Sequence, residues 1–191
     1  HIPESPQDLV QKNKMQRRMG QLTGTCFQRC AGLDTLSVLF SITFDIDKKH
    51  GTAYHERYLA FLKKAQARNL IVGAGMTDPK GDRSKRPSDQ SDPDLFMHVT
   101  RRTDKGLYVK GAKAHMTGGL NSHWICVMPT MNMLESDKDY AVIGMIPATA
   151  PGLTYIYGRQ SCDTRALEVG DIDKGNAQYG GQETLVIFDD V

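Results

Sequence analysis

The chain changes its hydrophobic period near residue 70, and that switch limits the possible folds more than any single motif does. Before it, apolar residues recur at helical spacing, in Leu22, Phe27, Leu33, Leu36, Phe40 and Phe44, then in Tyr54, Tyr58, Leu59 and Leu62. The pattern predicts helices over about 8–21, 25–49 and 52–68, with Gly51 in the last gap, where a glycine suits a helix end. After Leu70, Gly, Pro and Asp punctuate short β-prone runs at 95–101, 107–114, 123–130, 140–147, 153–158 and 184–188. Asp104-Lys105-Gly106 supplies a turn between the first two, and Ser136-Asp137-Lys138 precedes the fourth. Helices followed by strands imply an α+β chain, with a helical domain at 1–70 and an all-β domain, sandwich or barrel, at 71–191.

A length of 191 residues is ample for a core. The formal charge of +2 makes no electrostatic case for nucleic acid. No apolar run approaches the ~20 residues needed to cross a membrane. Four cysteines without the spacing of a secreted scaffold fit a reducing cytoplasm. HIPESPQDLV carries neither an initiator Met nor a signal pattern, and TLVIFDDV stops inside an apolar run. The chain therefore reads as an internal fragment of a longer protein.

Cys26 and Cys30 lie four apart in CFQRC, at the head of the second expected helix. At that spacing both thiols point from one helical face, with Cβ atoms about 5 to 6 Å apart. A disulfide needs roughly 3.5 to 4.5 Å, so a bridge is disfavoured. Two thiolates so placed suit one edge of an iron-sulfur or zinc site. Equally, Cys26, Cys30, Leu33, Phe40 and Phe44 fall near one stripe, which fits two buried core thiols.

Two polar segments carry further chemistry. The stretch 78–94, DPKGDRSKRPSDQSDPD, reads as a long structureless loop, and loops of that length are usually functional or disordered. Gly81 permits close backbone approach, and Lys80, Arg83, Lys85 and Arg86 suit the phosphates of a nucleotide, although a solvated charged loop explains the same residues. The second segment, KAHMTGGLNSH, gathers His115, Thr117, Gly118, Gly119, Asn121, Ser122 and His123 after an expected strand. These groups suit hydrogen bonding to a ring system rich in acceptors; a plain turn explains them almost as well. Gly118-Gly119 lacks the GxGxxG spacing of a Rossmann site. His123 and Cys126, three apart on a strand, face opposite ways and make a poor ligand pair. Cys162 is either a buried thiol or a site residue. Neither a hydrolase triad nor a zinc-finger spacing is present.

Taken together, KMQRRMGQLTGTCFQRCAGLD, GMTDPKGDRSKRPS, GAKAHMTGGLNSH, DKDYAV, IYGRQSCDTR and YGGQETLVIFD resemble the 4-hydroxybutyryl-CoA dehydratase family, flavin and iron-sulfur lyases related to the 4-hydroxyphenylacetate 3-hydroxylases. The segments occur in the family's order and spacing over nearly the whole chain. The resemblance implies an acyl-CoA dehydrogenase-like fold, with part of a helical N-terminal domain, a central β-barrel, and a C-terminal helix bundle absent from these residues. It implies that Cys26 and Cys30 are two ligands of a 4Fe-4S cluster, with the remaining His and Cys ligands and the catalytic base expected beyond Val191. It carries FAD contacts onto Met76, Thr77, Asp78, Pro79, Lys80, Gly81, Asp82 and Arg83, and onto His115, Met116 and Thr117. A polar residue is more usual in the family at Met116, where a thioether offers packing instead of a hydrogen bond.

The implied reaction is loss of water from 4-hydroxybutyryl-CoA to give crotonyl-CoA, with vinylacetyl-CoA isomerisation as a side activity, in an oxygen-sensitive cytoplasmic homotetramer. The C3 hydrogen is not acidic, and a radical route through FAD removes that obstacle, the cofactor carrying the hard chemistry. An open iron site would take the leaving hydroxyl as a Lewis acid. The isolated fragment is expected to be inactive. The alternatives are a reduced-flavin-dependent aromatic monooxygenase, which needs no cluster, and a non-catalytic flavin-binding or assembly module.

Overall fold

The computed structural model describes residues 2–25, 30–158, 174–179 and 183–191. They fall into two compact units, one of residues 1–72 with 160–181, the other of residues 73–159 with 182–191.

The first unit is helical, with α1 (Pro6–Thr23), α2 (Cys30–His50), α3 (Tyr54–Ala67) and the short α4 (Lys174–Tyr179). Helix α1 starts where the Ser5 hydroxyl accepts from the Asp8 amide at 3.2 Å and Pro6 presets the first turn. Helix α2 ends at Gly51, whose φ of 67° lets its amide reach back to the Asp47 carbonyl at 2.8 Å. Asp47 then starts α3 by accepting from Thr52 Oγ1 and from the Tyr54 and His55 amides. The stripe that α2 buries is Gly32, Thr35 and Leu39, set against α3 with its buried Tyr58, Leu62 and Ala65. That stripe is one residue out of phase with the expected Leu33 and Phe40, which are only half-buried, and Phe44 stays exposed.

The second unit is a sheet in the order β5-β4-β1-β3-β7-β6, with β2 also on β3, in which the β1–β3, β2–β3, β3–β7, β4–β5 and β6–β7 pairs are antiparallel. Its strands are β1 (Val72–Gly75), β2 (His98–Thr103), β3 (Gly106–Thr117), β4 (Trp124–Val127), β5 (Gly144–Pro147), β6 (Leu153–Ile156) and β7 (Glu183–Phe188). Met97, Val99, Val109, Met116, Ile125, Val127, Val142, Val186 and Phe188 form its core. Strand β1, sequence VGAG, went unforeseen because glycine and alanine give no strand signal. The strand expected at 140–147 is confined to Gly144–Pro147, since Glu135–Tyr140 forms a 3-10 turn in which buried Asp137 accepts from the Leu134 amide. Among the described residues, no helix is long and apolar enough to cross a membrane.

Candidate functional site

The segment after β1 is ordered, contrary to the structureless loop expected at 78–94, because side chains hold its backbone at intervals. Asp82 accepts from the Ser84 amide and hydroxyl at 3.0 and 2.7 Å, closing an Asx turn. The Gln90 carboxamide straddles Asp82, accepting from its amide at 3.0 Å and donating to its carbonyl at 2.8 Å. Gly81 has φ 44°, and a Cβ there would come within 2.4 Å of Leu95 Cδ2 and 2.6 Å of Gln90 Oε1. Further on, Arg86 and Ser88 fasten onto Asp137, and Pro87 is buried between them in a 3-10 turn.

The ordered segment borders an open groove of about 380 Å³, lined by Thr77, Asp78, Pro79, Lys80, Asp82, Arg83 and Lys85 together with Phe96, Thr130 and Met131. Lys80 and Arg83 are exposed, and no described acidic group pairs with either, whereas Lys85 lies 3.8 Å from Asp82. The groove therefore offers two cations without a described acidic partner, an arrangement suited to a phosphorylated ligand, while the bare Cα of Gly81 makes room for Leu95 and Gln90. Another recess, of about 340 Å³ beside β5, is walled by apolar residues alone and offers nothing to orient a charged ligand.

Below the groove lies Lys113 on β3, its side chain 3% exposed. Its ammonium donates to Asp78 Oδ1 at 2.5 Å, to the Met128 carbonyl at 2.9 Å and to the Met76 carbonyl at 3.2 Å. Burial pulls the Lys113 pKa below its ordinary value, against the opposing pull of Asp78. Asp78, foreseen as a contact for a cofactor, has its side chain 8% exposed and is engaged from within by Lys113, with Thr130 Oγ1 at 3.4 Å from its other oxygen.

The second foreseen segment meets the first because β1 and β3 run antiparallel, Ala74 opposite Thr117, and the Ala114 amide donates to the Thr77 carbonyl at 2.8 Å. Against β7 the register steps from Lys113–Val186 to Met116–Thr184, so that Ala114 and His115 together face the single Leu185. The extra residue is accommodated at His115, which has a φ of 50°. This bulge breaks the alternation of Val109, Gly111 and Lys113, turning His115 to solvent and Met116 fully into the core. Thr117 donates to the Glu183 carboxylate at 3.2 Å. Of the three, His115 and Thr117 present polar groups, and Met116 supports them from behind.

Comparison with known proteins now bears on this geometry. The family model described as 4-hydroxyphenylacetate 3-hydroxylase N terminal matches residues 1–191. The chain belongs to the 4-hydroxyphenylacetate 3-hydroxylase N-terminal family. Within that family, it is 54% identical over 192 aligned positions to the 4-hydroxybutyryl-CoA dehydratase/vinylacetyl-CoA-Delta-isomerase of Clostridium aminobutyricum, covering 100% of this chain and 39% of that protein. It is 30% identical to the oxygenase component of a Rhodococcus 4-nitrophenol 2-monooxygenase, over 72% of this chain and 26% of that protein. A solved structure of an oxygen-tolerant archaeal 4-hydroxybutyryl-CoA dehydratase from N. maritimus superposes with a TM-score of 0.92 at 63% identity, covering all of this chain and 38% of that one. The oxygenase component of a 4-hydroxyphenylacetate 3-monooxygenase, solved with FAD and 4-hydroxyphenylacetate, shares the fold at TM-score 0.75 and 22% identity. The chain thus spans about two fifths of the length of such relatives.

Cys26 lies outside the described residues, and so does Cys162. Cys30 opens α2 and is half-buried. Among the described residues, no group of three or more His, Cys, Asp or Glu side chains is placed to hold a metal. Cys126 is fully buried on β4, its thiol pushed up to about 12 by burial, and His123 is exposed, so these two are not ligand partners. Lys113 and Asp137 were missed in the sequence because each acts on a residue far from it along the chain, and Gln90 because a glutamine in a polar loop gives no sign of the Asp82 backbone it binds.

Proposed function

We propose that the whole protein of which these residues are part dehydrates 4-hydroxybutyryl-CoA to crotonyl-CoA, and isomerises vinylacetyl-CoA as a side activity. The observation that carries this reading is the 54% identity to the Clostridium aminobutyricum dehydratase/isomerase, sustained over the whole chain. In this reading the groove holds part of an FAD, with Lys80 and Arg83 facing its phosphates and with Thr77, His115 and Thr117 offering hydrogen-bonding groups to its polar edges. Gly81, Pro79 and Asp82 shape the wall, and Asp78, Met76 and Met116 brace it. When bound, FAD supplies the one-electron chemistry that an unactivated C3 hydrogen requires. The open groove meets this demand for a bound nucleotide with cationic side chains.

Cys26 and Cys30 are proposed as two thiolate ligands of a 4Fe-4S cluster whose other ligands come from outside these residues. The proposed arrangement is acyl-CoA dehydrogenase-like, with 1–70 belonging to a helical domain and 71–191 to a central β domain. The enzyme is proposed to work as a cytoplasmic homotetramer. The identity to the Rhodococcus monooxygenase component supports a second reading, hydroxylation of a phenol by reduced flavin.

The test uses the full-length protein purified without oxygen. Formation of crotonyl-CoA from 4-hydroxybutyryl-CoA, with bound FAD, iron and acid-labile sulfide, is the expected result. Hydroxylation of a phenol with reduced flavin, in an iron-free preparation that leaves the thioester untouched, would replace it with the second reading.

A further inference from the structure

We propose that Lys113 is a positioning residue for the flavin groove, a role that rests on the flavin reading above. A lysine ammonium has three protons, and all three here are spent on acceptors from separate stretches of chain: the Met76 carbonyl just past β1, the Asp78 carboxylate in the groove wall, and the Met128 carbonyl just past β4. The groove's lining includes Thr77, Asp78 and Pro79 from one stretch and Thr130 and Met131 from another. One buried cation therefore ties together two stretches that line the groove.

The location adds to the case. Lys113 precedes His115 by two residues on β3, and the Ala114 amide between them holds the Thr77 carbonyl at 2.8 Å. The strand that turns His115 outward through its bulge thus also fixes Thr77 and Asp78 from below. A hydrophobic side chain of similar length would fill the space beneath the groove but leave Asp78 and two carbonyls without their donor. A buried acceptor without a donor is costly, so those stretches would move to find water. Asp78 then shapes the groove through its bond to Lys113.

The experiment uses the full-length enzyme, with Lys113→Met, Lys113→Gln, Asp78→Asn and the double variant Lys113→Met/Asp78→Asn. The FAD dissociation constant, the visible circular dichroism of the bound flavin and thermal unfolding of the apoprotein are measured for each. Lys113→Met is expected to weaken FAD by about tenfold or more, with an altered flavin dichroism at temperatures where the apoprotein is fully folded. Lys113→Gln, which still donates to the carbonyls, is expected to fall between Lys113→Met and the parent, and it decides the matter if Lys113→Met does not fold. The double variant is expected to bind FAD no more weakly than Lys113→Met, because both changes break one linkage. Parental FAD affinity and dichroism in folded Lys113→Met or Lys113→Gln would overturn the role while leaving the flavin reading intact. Strictly additive losses in the double variant would overturn it in favour of direct flavin contact by Asp78. A parent enzyme that binds no flavin would overturn both.

Discussion

Arg86 reaches Asp137 across 51 positions of chain, its Nε donating to one carboxylate oxygen at 2.6 Å while Nη2 lies 2.5 Å from the same oxygen and donates to the Asn132 carbonyl at 2.7 Å. The other oxygen accepts from the Ser88 hydroxyl at 2.8 Å, and Asp137 is fully buried. Burial would raise its pKa, but hydrogen bonds from Ser88 and Arg86 and from the Leu134 and Ser88 amides outweigh it and hold the carboxyl at about 2, below its ordinary 3.8. A carboxyl that gives up its proton more readily in the folded chain contributes stability above the unfolded value, and that contribution disappears as pH falls through the folded one. Asp137→Asn is therefore expected to lower stability by about 2 to 3 kcal/mol at pH 7. The gap between parent and variant should narrow as pH falls from about 4 towards 2. Urea unfolding of both proteins across that range checks it, and a gap independent of pH would refute the linkage.

The bulge at His115 separates two neighbouring side chains by function, and substitutions should separate them too. Met116 is fully buried among core residues that include Val186 and Phe188, so Met116→Ala is expected to cost about 2 to 5 kcal/mol. His115 is exposed with a φ of 50°, a conformation glycine adopts without penalty. His115→Gly should hold or slightly raise stability, whereas His115→Val should lower it by about 1 to 2 kcal/mol. Both His115 variants should retain less flavin than the parent. Denaturant midpoints combined with flavin retention after gel filtration test the pair, and a stabilising His115→Val would show that the bulge is not as described.

What the sequence made legible follows from the range of each interaction. The switch from helical to strand period at residue 70 and the turn at Gly51 are local, and both are present in the fold. The groove segment at 76–83 and the segment at 115–117 were each recognised by motif, and antiparallel pairing of β1 with β3 brings them together. Lys113, Gln90 and Asp137 carried no local signal, since a lysine in a strand, a glutamine in a polar loop and an aspartate in a turn are ordinary surface choices. Only the distances to Asp78, Asp82 and Arg86 give them meaning. The burial of Met116 carried no local signal either: an even alternation along β3 places it on the face opposite Lys113, and the extra residue at the bulge returns it to the core.

Cys126 offers a test that separates thiols by environment. Its burial and a thiol pKa pushed up to about 12 leave almost no thiolate near neutrality. Iodoacetamide at pH 8 is expected to leave Cys126 unmodified in the folded protein and to label it fully in denaturant, as read by peptide mass spectrometry. Rapid labelling of native Cys126 would contradict its place in the core.

The groove itself is tested most directly at its two unpaired cations. Lys80 and Arg83 are exposed and lie on a backbone held by Gln90 and the Asp82 turn, so removing their charge should leave that backbone in place. Arg83→Ala or Lys80→Glu is expected to shift stability by no more than about 0.5 kcal/mol, the usual range for a solvated surface position. FAD binding should weaken by about tenfold for Arg83→Ala if the guanidinium meets a phosphate, and more for the charge reversal at Lys80. The loss should also shrink at high salt, because exposed charges are screened. Flavin titrations of the full-length enzyme at low and high ionic strength measure all three effects. Unchanged affinity in both variants would return the segment to a solvated loop, with Asp82, Gln90 and Asp137 ordering it for its own sake.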